Sequence, residues 1–148
     1  MSAGANNTFR VGLGNGAFGL LMQEIFALDS AVHWIALEQA GREPRWAWRD
    51  SNTGQLYAGA SANNAELLDP LLLMLAEGHV ELDSRRATAN PHHLRFVVLA
   101  YEDSSQIVAR FGSDAHISVA VDVHADAYVF GARLTGLLNR PAHGPHTW

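Results

Sequence analysis

The sequence predicts an α+β domain, a central antiparallel sheet of about five strands with helices packed on its faces. Three observations carry this. Leu94 to Tyr101 (LRFVVLAY), Gln106 to Phe111 (QIVARF) and His116 to Val123 (HISVAVDV) read as three consecutive strands. Asp126 to Asn139 then reads as an amphipathic helix, with Ala127, Phe130, Gly131, Leu134, Leu137 and Leu138 forming one stripe. Upstream, a helix, a hairpin and a Leu-rich helix complete the order α-β-β-α-β-β-β-α. A sheet covered by helices is a stable solution for elements in that order.

Each element has a local cause. From Ala17 to Leu28, Phe18, Leu21, Met22, Ile25 and Leu28 recur at the helical period. Ala31 to Glu38 has the β-branched and aromatic content of a strand, Ala40 to Pro44 is turn chemistry, and Arg45 to Asp50 reads as the returning strand. After a second turn over Ser51 to Gly54, Gln55 to Ala58 is either a short extra strand or an extension of the hairpin. Asn63 with Glu66 three residues later has cap spacing for a helix running to about Glu77, stopped by Gly78. Pro70 either kinks that helix or sits in the first turn of a second one capped by Asp69. Its leucines surround it, so it needs cover on more than one side. In the last strand Ile117, Val119, Val121 and Val123 alternate with His116, Ser118, Ala120 and Asp122, a period of two.

At 148 residues the chain is expected to be a single domain over 17–139, between a flexible Gly/Asn-rich N-terminus (1–16) and a flexible tail (140–148). A hydrophobic share of 48% with 17% charged residues is globular rather than disordered. The net charge of −5 argues against nucleic acid as a partner, which calls for a basic face. With no Cys there is no disulfide, thiol nucleophile or Cys-ligated metal. All ten basic residues are Arg, which excludes a P-loop Lys and Schiff-base chemistry. Met1 to Asn15 has no signal-peptide pattern, and no apolar run is long enough to span a bilayer, so the expectation is a cytoplasmic protein without a membrane partner.

The element order, the all-round apolar Leu-rich helix and the strand-rich third quarter resemble the roadblock / dynein light chain family, over roughly Ala17 to Asn139. The nearest local match is HISVAVDVHADAYVFGARLTGLL, His116 to Leu138. The resemblance implies a roadblock/profilin-like fold and a non-enzymatic module that forms homodimers or heterodimers and binds or regulates small Ras-like GTPases or acts as a scaffold; the expectation for this chain is a homodimer without cofactor that partners or regulates such a GTPase. It further implies a dimer seam at Leu71, Leu72, Met74 and Leu75 and at the third strand with Phe96, Val98 and Ala100. Independently, Leu94 to Tyr101 is apolar on both faces, which is unfavourable for an edge strand facing water. The segment Ser51 to Ala58, Pro70 and the long connection before Leu94 depart from the family pattern.

Other chemistry is weighed against plainer explanations. Gly14-Asn15-Gly16-Ala17-Phe18-Gly19 matches G-x-G-x-x-G, with Glu38 at a suitable distance for a ribose contact, and would make the chain a nucleotide-binding enzyme. The hairpins that follow do not suit a dinucleotide fold. His116, Asp122, His124 and Asp126 could share one face, and His92, His93, His143 and His146 are further imidazoles, but no metal set is predicted and an Asp N-cap accounts for Asp122 or Asp126. Gly59 to Asn63 misses the G-x-S-x-G elbow by its last glycine, leaving no catalytic residue to name. Trp46 and Trp48 fall on one side of a strand near Trp34, either as partner-binding residues or as cover for the sheet. A small-ligand sensor, with its pocket at the Trp hairpin or the His116 face, is the competing class.

Overall fold

The computed structural model describes residues 11–39, 42–59, 95–112 and 115–140. Its strands are β1 (Val11–Gly12), β2 (Val32–Gln39), β3 (Arg45–Arg49), β4 (Leu56–Gly59), β5 (Phe96–Ala100), β6 (Ser104–Phe111) and β7 (Ala115–Asp122). The described helices are α1 (Ala17–Leu28) and α2 (Ala127–Leu138). The helix expected over 63–77, with Leu71, Leu72, Met74 and Leu75, lies outside the described residues. So do Ser61, His92, His93, His143 and His146. No described helix is long and apolar enough to cross a membrane.

All seven strands form one sheet in the order β1-β4-β3-β2-β7-β6-β5, and every pair is antiparallel. Among the described residues there are seven strands where about five are expected. Leu56–Gly59 turns back as a strand of its own, and Val11–Gly12 adds outside it. A two-residue strand leaves no periodicity to read. The sheet is thus two meanders joined where β2 meets β7.

The turns follow from side-chain chemistry. Between β3 and β4, Asp50 Oδ1 accepts the N–H of Asn52 (2.8 Å) and of Thr53 (3.0 Å), and Gly54 takes φ +73°. Such a left-handed residue is cheapest as glycine. Between β5 and β6 the N–H of Tyr101 donates to the carbonyl of Ser104 at 2.8 Å. Asp126 caps α2, accepting from the N–H groups of Tyr128 and Val129 at 3.1 and 3.0 Å. Asp126, rather than Asp122, therefore caps α2.

The pairing of β2 with β7 shifts register between Val32 and Trp34, leaving His33 as the extra residue. The bulge resets the alternation, so Val32 and Ile35, an odd number of residues apart, both join the same core. That core lies between the sheet and both described helices. It holds Leu21, Met22, Ile25 and Phe26 from α1, Phe130, Leu134 and Leu137 from α2, and Ile35, Leu37, Ile107, Ile117 and Val119 from the strands.

Arg45 and Arg49 flank Ala47 on β3 and bracket α1. Arg45 lies 4.1 Å from the Phe18 ring, while Arg49 sits 5.2 Å from that of Phe26 and donates from Nε to the carbonyl of Val32 at 3.2 Å. Eight helical residues and four strand residues both span about 12–13 Å, so the two cations match the two rings. Burial first, and the like charge of Arg42 second, push the Arg45 pKa down from its ordinary value. It stays charged nonetheless, since no protein environment deprotonates arginine at neutral pH. Its stem and ring contact therefore serve as packing.

Gly19 shows how closely α1 approaches the segment before it. A Cβ there would press into the carbonyl oxygen of Leu13 and lie 2.7 Å from that of Gly14. Backbone cannot yield as a side chain can. Gly19→Ala should lower stability by about 1–3 kcal/mol despite the better helix propensity of alanine. Urea unfolding followed by circular dichroism would show a lower midpoint with the slope unchanged.

Candidate functional site

The strand β5 ends the sheet, and among the described residues it pairs with β6 alone. Antiparallel ladders alternate residues that bond inward with residues that bond outward. The bond from Tyr101 to Ser104 fixes the phase. Leu99 and Val97 therefore exchange bonds with β6, and Phe96, Val98 and Ala100 turn their N–H and C=O groups to the open edge. These three are the residues named for the seam on this strand.

The apolar pattern on both faces of β5 also has a structural cause. Phe96 and Val98 pack against the core under α2, and Val97 and Leu99 pack on the opposite face beside Ala36, Trp46 and Val108. All four are half-buried, and among the described residues the strand has a paired neighbour on one side only. Phe96 fits a notch in α2. A Cβ added to Gly131 would fall 2.5 Å from the Phe96 ring, and the ring of Tyr128 lies 6.4 Å from it. Tyr128 is itself 71% exposed. The sequence placed Gly131 on the buried stripe but gave no role to Tyr128. Its position one turn before Gly131 on a helix facing β5 is visible only once the strand is placed.

The face opposite the helices carries the tryptophans. Trp34 lies opposite Trp48, and Trp48 opposite Tyr57, forming an aromatic row across β2, β3 and β4. The Trp34 and Trp46 centroids are 5.3 Å apart, and those of Trp48 and Tyr57 are 6.2 Å apart. Trp46 and Trp48 do share a side, as strand alternation requires. Trp46 is only 3% exposed, so it covers the sheet, whereas Trp48 is half-buried.

The glycine motif lacks the context its phosphate chemistry needs. The strand before it, β1, is an antiparallel edge strand, whereas a dinucleotide fold needs a central parallel strand. Each glycine has a local explanation. Gly14 takes φ +72° in the turn, and its carbonyl accepts from Gln23 Nε2 at 3.0 Å. Gly16 is the extended N-cap of α1, and Gly19 admits the preceding backbone.

The His and Asp residues divide in two. His116 and Asp122 stand at opposite ends of β7, about 20 Å apart at strand rise. At the Asp122 end, Asp29, His33, Asp122, His124 and Asp126 line a shallow cleft of about 470 Å³. There His33 Nε2 lies 3.8 Å from Asp122 Oδ2, both side chains being about half exposed. The carboxylates are engaged locally: Asp29 accepts from the N–H of Ala31, Asp122 from that of His124, and Asp126 caps α2. No set of three or more ligating groups is arranged for a metal among the described residues.

The difference between the two tryptophans of β3 can be measured. Trp46→Ala should cost about 3–5 kcal/mol by emptying a packed site, and Trp48→Ala distinctly less. Thermal melts of the two variants would check the order.

No protein-family model and no curated protein matches the chain by sequence. Solved structures do match it. A Roadblock/LC7 domain from Streptomyces avermitilis aligns at TM-score 0.51 and 20% identity, over 80% of this chain and 89% of that one. The gliding protein MglB from Thermus thermophilus aligns at TM-score 0.46 and 16% identity, over 83% and 86%. At such identities the likeness concerns fold. By its element order, its antiparallel sheet and the first of these alignments, the chain has the α+β fold of the Roadblock/LC7 domain.

Proposed function

We propose that this protein is a cytoplasmic, non-enzymatic interaction module that works as a homodimer, joined through the open edge of β5, and that it partners or regulates a small Ras-like GTPase. The observation that carries the dimer is the outward row of backbone groups at Phe96, Val98 and Ala100, which has no strand beside it among the described residues. An apolar terminal strand with unpaired backbone is a template for another strand. A second copy of itself is the simplest partner that satisfies every one of those groups. The resemblance to the roadblock family adds Leu71, Leu72, Met74 and Leu75 to the seam. It is also the source of the GTPase assignment, for which a dimeric scaffold is the fitting platform.

Light scattering should find twice the 16.1 kDa chain mass for the wild type. Val98→Asp would place an unpaired charge in the seam and yield monomer or aggregate. Ala100→Pro is the gentler probe. It removes one outward N–H, a change an edge strand tolerates, and leaves the pairing with β6 in place. A folded Ala100→Pro protein that still scatters as a dimer would refute this seam. Partner capture with GTP-loaded and GDP-loaded small GTPases tests the second half of the reading, and equal failure with both would remove it.

A further inference from the structure

We infer that Tyr128 of α2 is an anchor of the contact between two copies, seated over Ala100 of the second copy. The inference rests on the β5 dimer reading and adds a residue that determines partner fit. Three observations lead to it.

The register comes first. A two-fold axis that uses all three outward-facing residues of β5 must pass through Val98, setting Phe96 of each copy opposite Ala100 of the other. Residues opposed in such a bonded pair stand about 5.5 Å apart at Cα.

Shape comes second. Phe96, Val98 and Ala100 share the face under α2, since the first two pack in the core on that side and strand residues alternate. Tyr128 lies against Phe96, with its ring centroid 6.4 Å away, and is 71% exposed. Across the axis it meets the smallest residue of the strand, Ala100, itself exposed. A large protruding ring on each copy thus faces a small side chain on the other, and the relation is reciprocal, as an isologous contact requires. Val129, also exposed at the same turn of α2, widens the apolar surface.

Charge comes third. Exposed Arg95 precedes β5, and exposed Glu102 and Asp103 follow it. The antiparallel two-fold brings the basic end of each strand to the acidic end of its mate. A parallel arrangement would set like charges side by side, so the charges favour a second copy in this orientation.

Sedimentation velocity on the full chain tests this by the dimer dissociation constant. Tyr128→Ala should raise it by at least about tenfold while the monomer keeps its thermal midpoint, because so exposed a ring contributes little to folding. Ala100→Phe should also weaken the dimer by filling the space the ring needs. Combining the two substitutions should recover affinity relative to Ala100→Phe alone, a non-additivity expected only of residues in contact. If Ala100→Pro gives monomer but Tyr128→Ala leaves the constant within about twofold, or the pair acts additively, the anchor is overturned and the β5 dimer stands. A wild type that remains monomeric at high concentration overturns both.

Discussion

The ladder between β2 and β7 is the constraint from which the rest of the molecule follows. Each meander alone is a small sheet, and their union at this ladder makes one surface broad enough for α1 and α2 to lie side by side. The ladder is also where the alternation of β2 would fail. The bulge at His33 corrects it by returning Val32 to the helix side. An unbulged strand would present its first apolar residue to the wrong face, since a shift of one residue exchanges the two sides.

Much of this was legible in the chain because the relevant signals are local. The apolar residues from Phe18 to Leu28 mark α1 to its ends, and Asp126 marks the start of α2. What escaped is non-local. Nothing in the residues of β5 says which place in the sheet it takes, because its two apolar faces are explained equally by α2 on one side and the Trp46 cluster on the other. The bulge at His33 exists only relative to β7. Gly131 reads as one more member of a buried stripe until Phe96 is brought against it.

The glycines between residues 14 and 19 carry a related lesson. Each stands there for a local reason of its own, and a phosphate is one reason for a glycine among several. Here the reasons are a left-handed turn at Gly14, an extended N-cap at Gly16 and, at Gly19, a helix packed against the backbone of Leu13 and Gly14. The tryptophans were ambiguous in the same way. Alternation along β3 placed Trp46 and Trp48 on one side, but the difference in burial between them depends on their neighbours across the sheet.

The two ends of the sheet are unlike. Among the described residues, one end holds the five-residue β5, apolar and straight-paired, and the other holds the two-residue β1, which ends on exposed Gly12. A sheet with two long sticky ends could add copies without limit and grow into a fibre. A short strand at one end offers less backbone for such addition. In the dimer proposed above, a symmetric meeting at β5 uses that end up, so that association would close after one step.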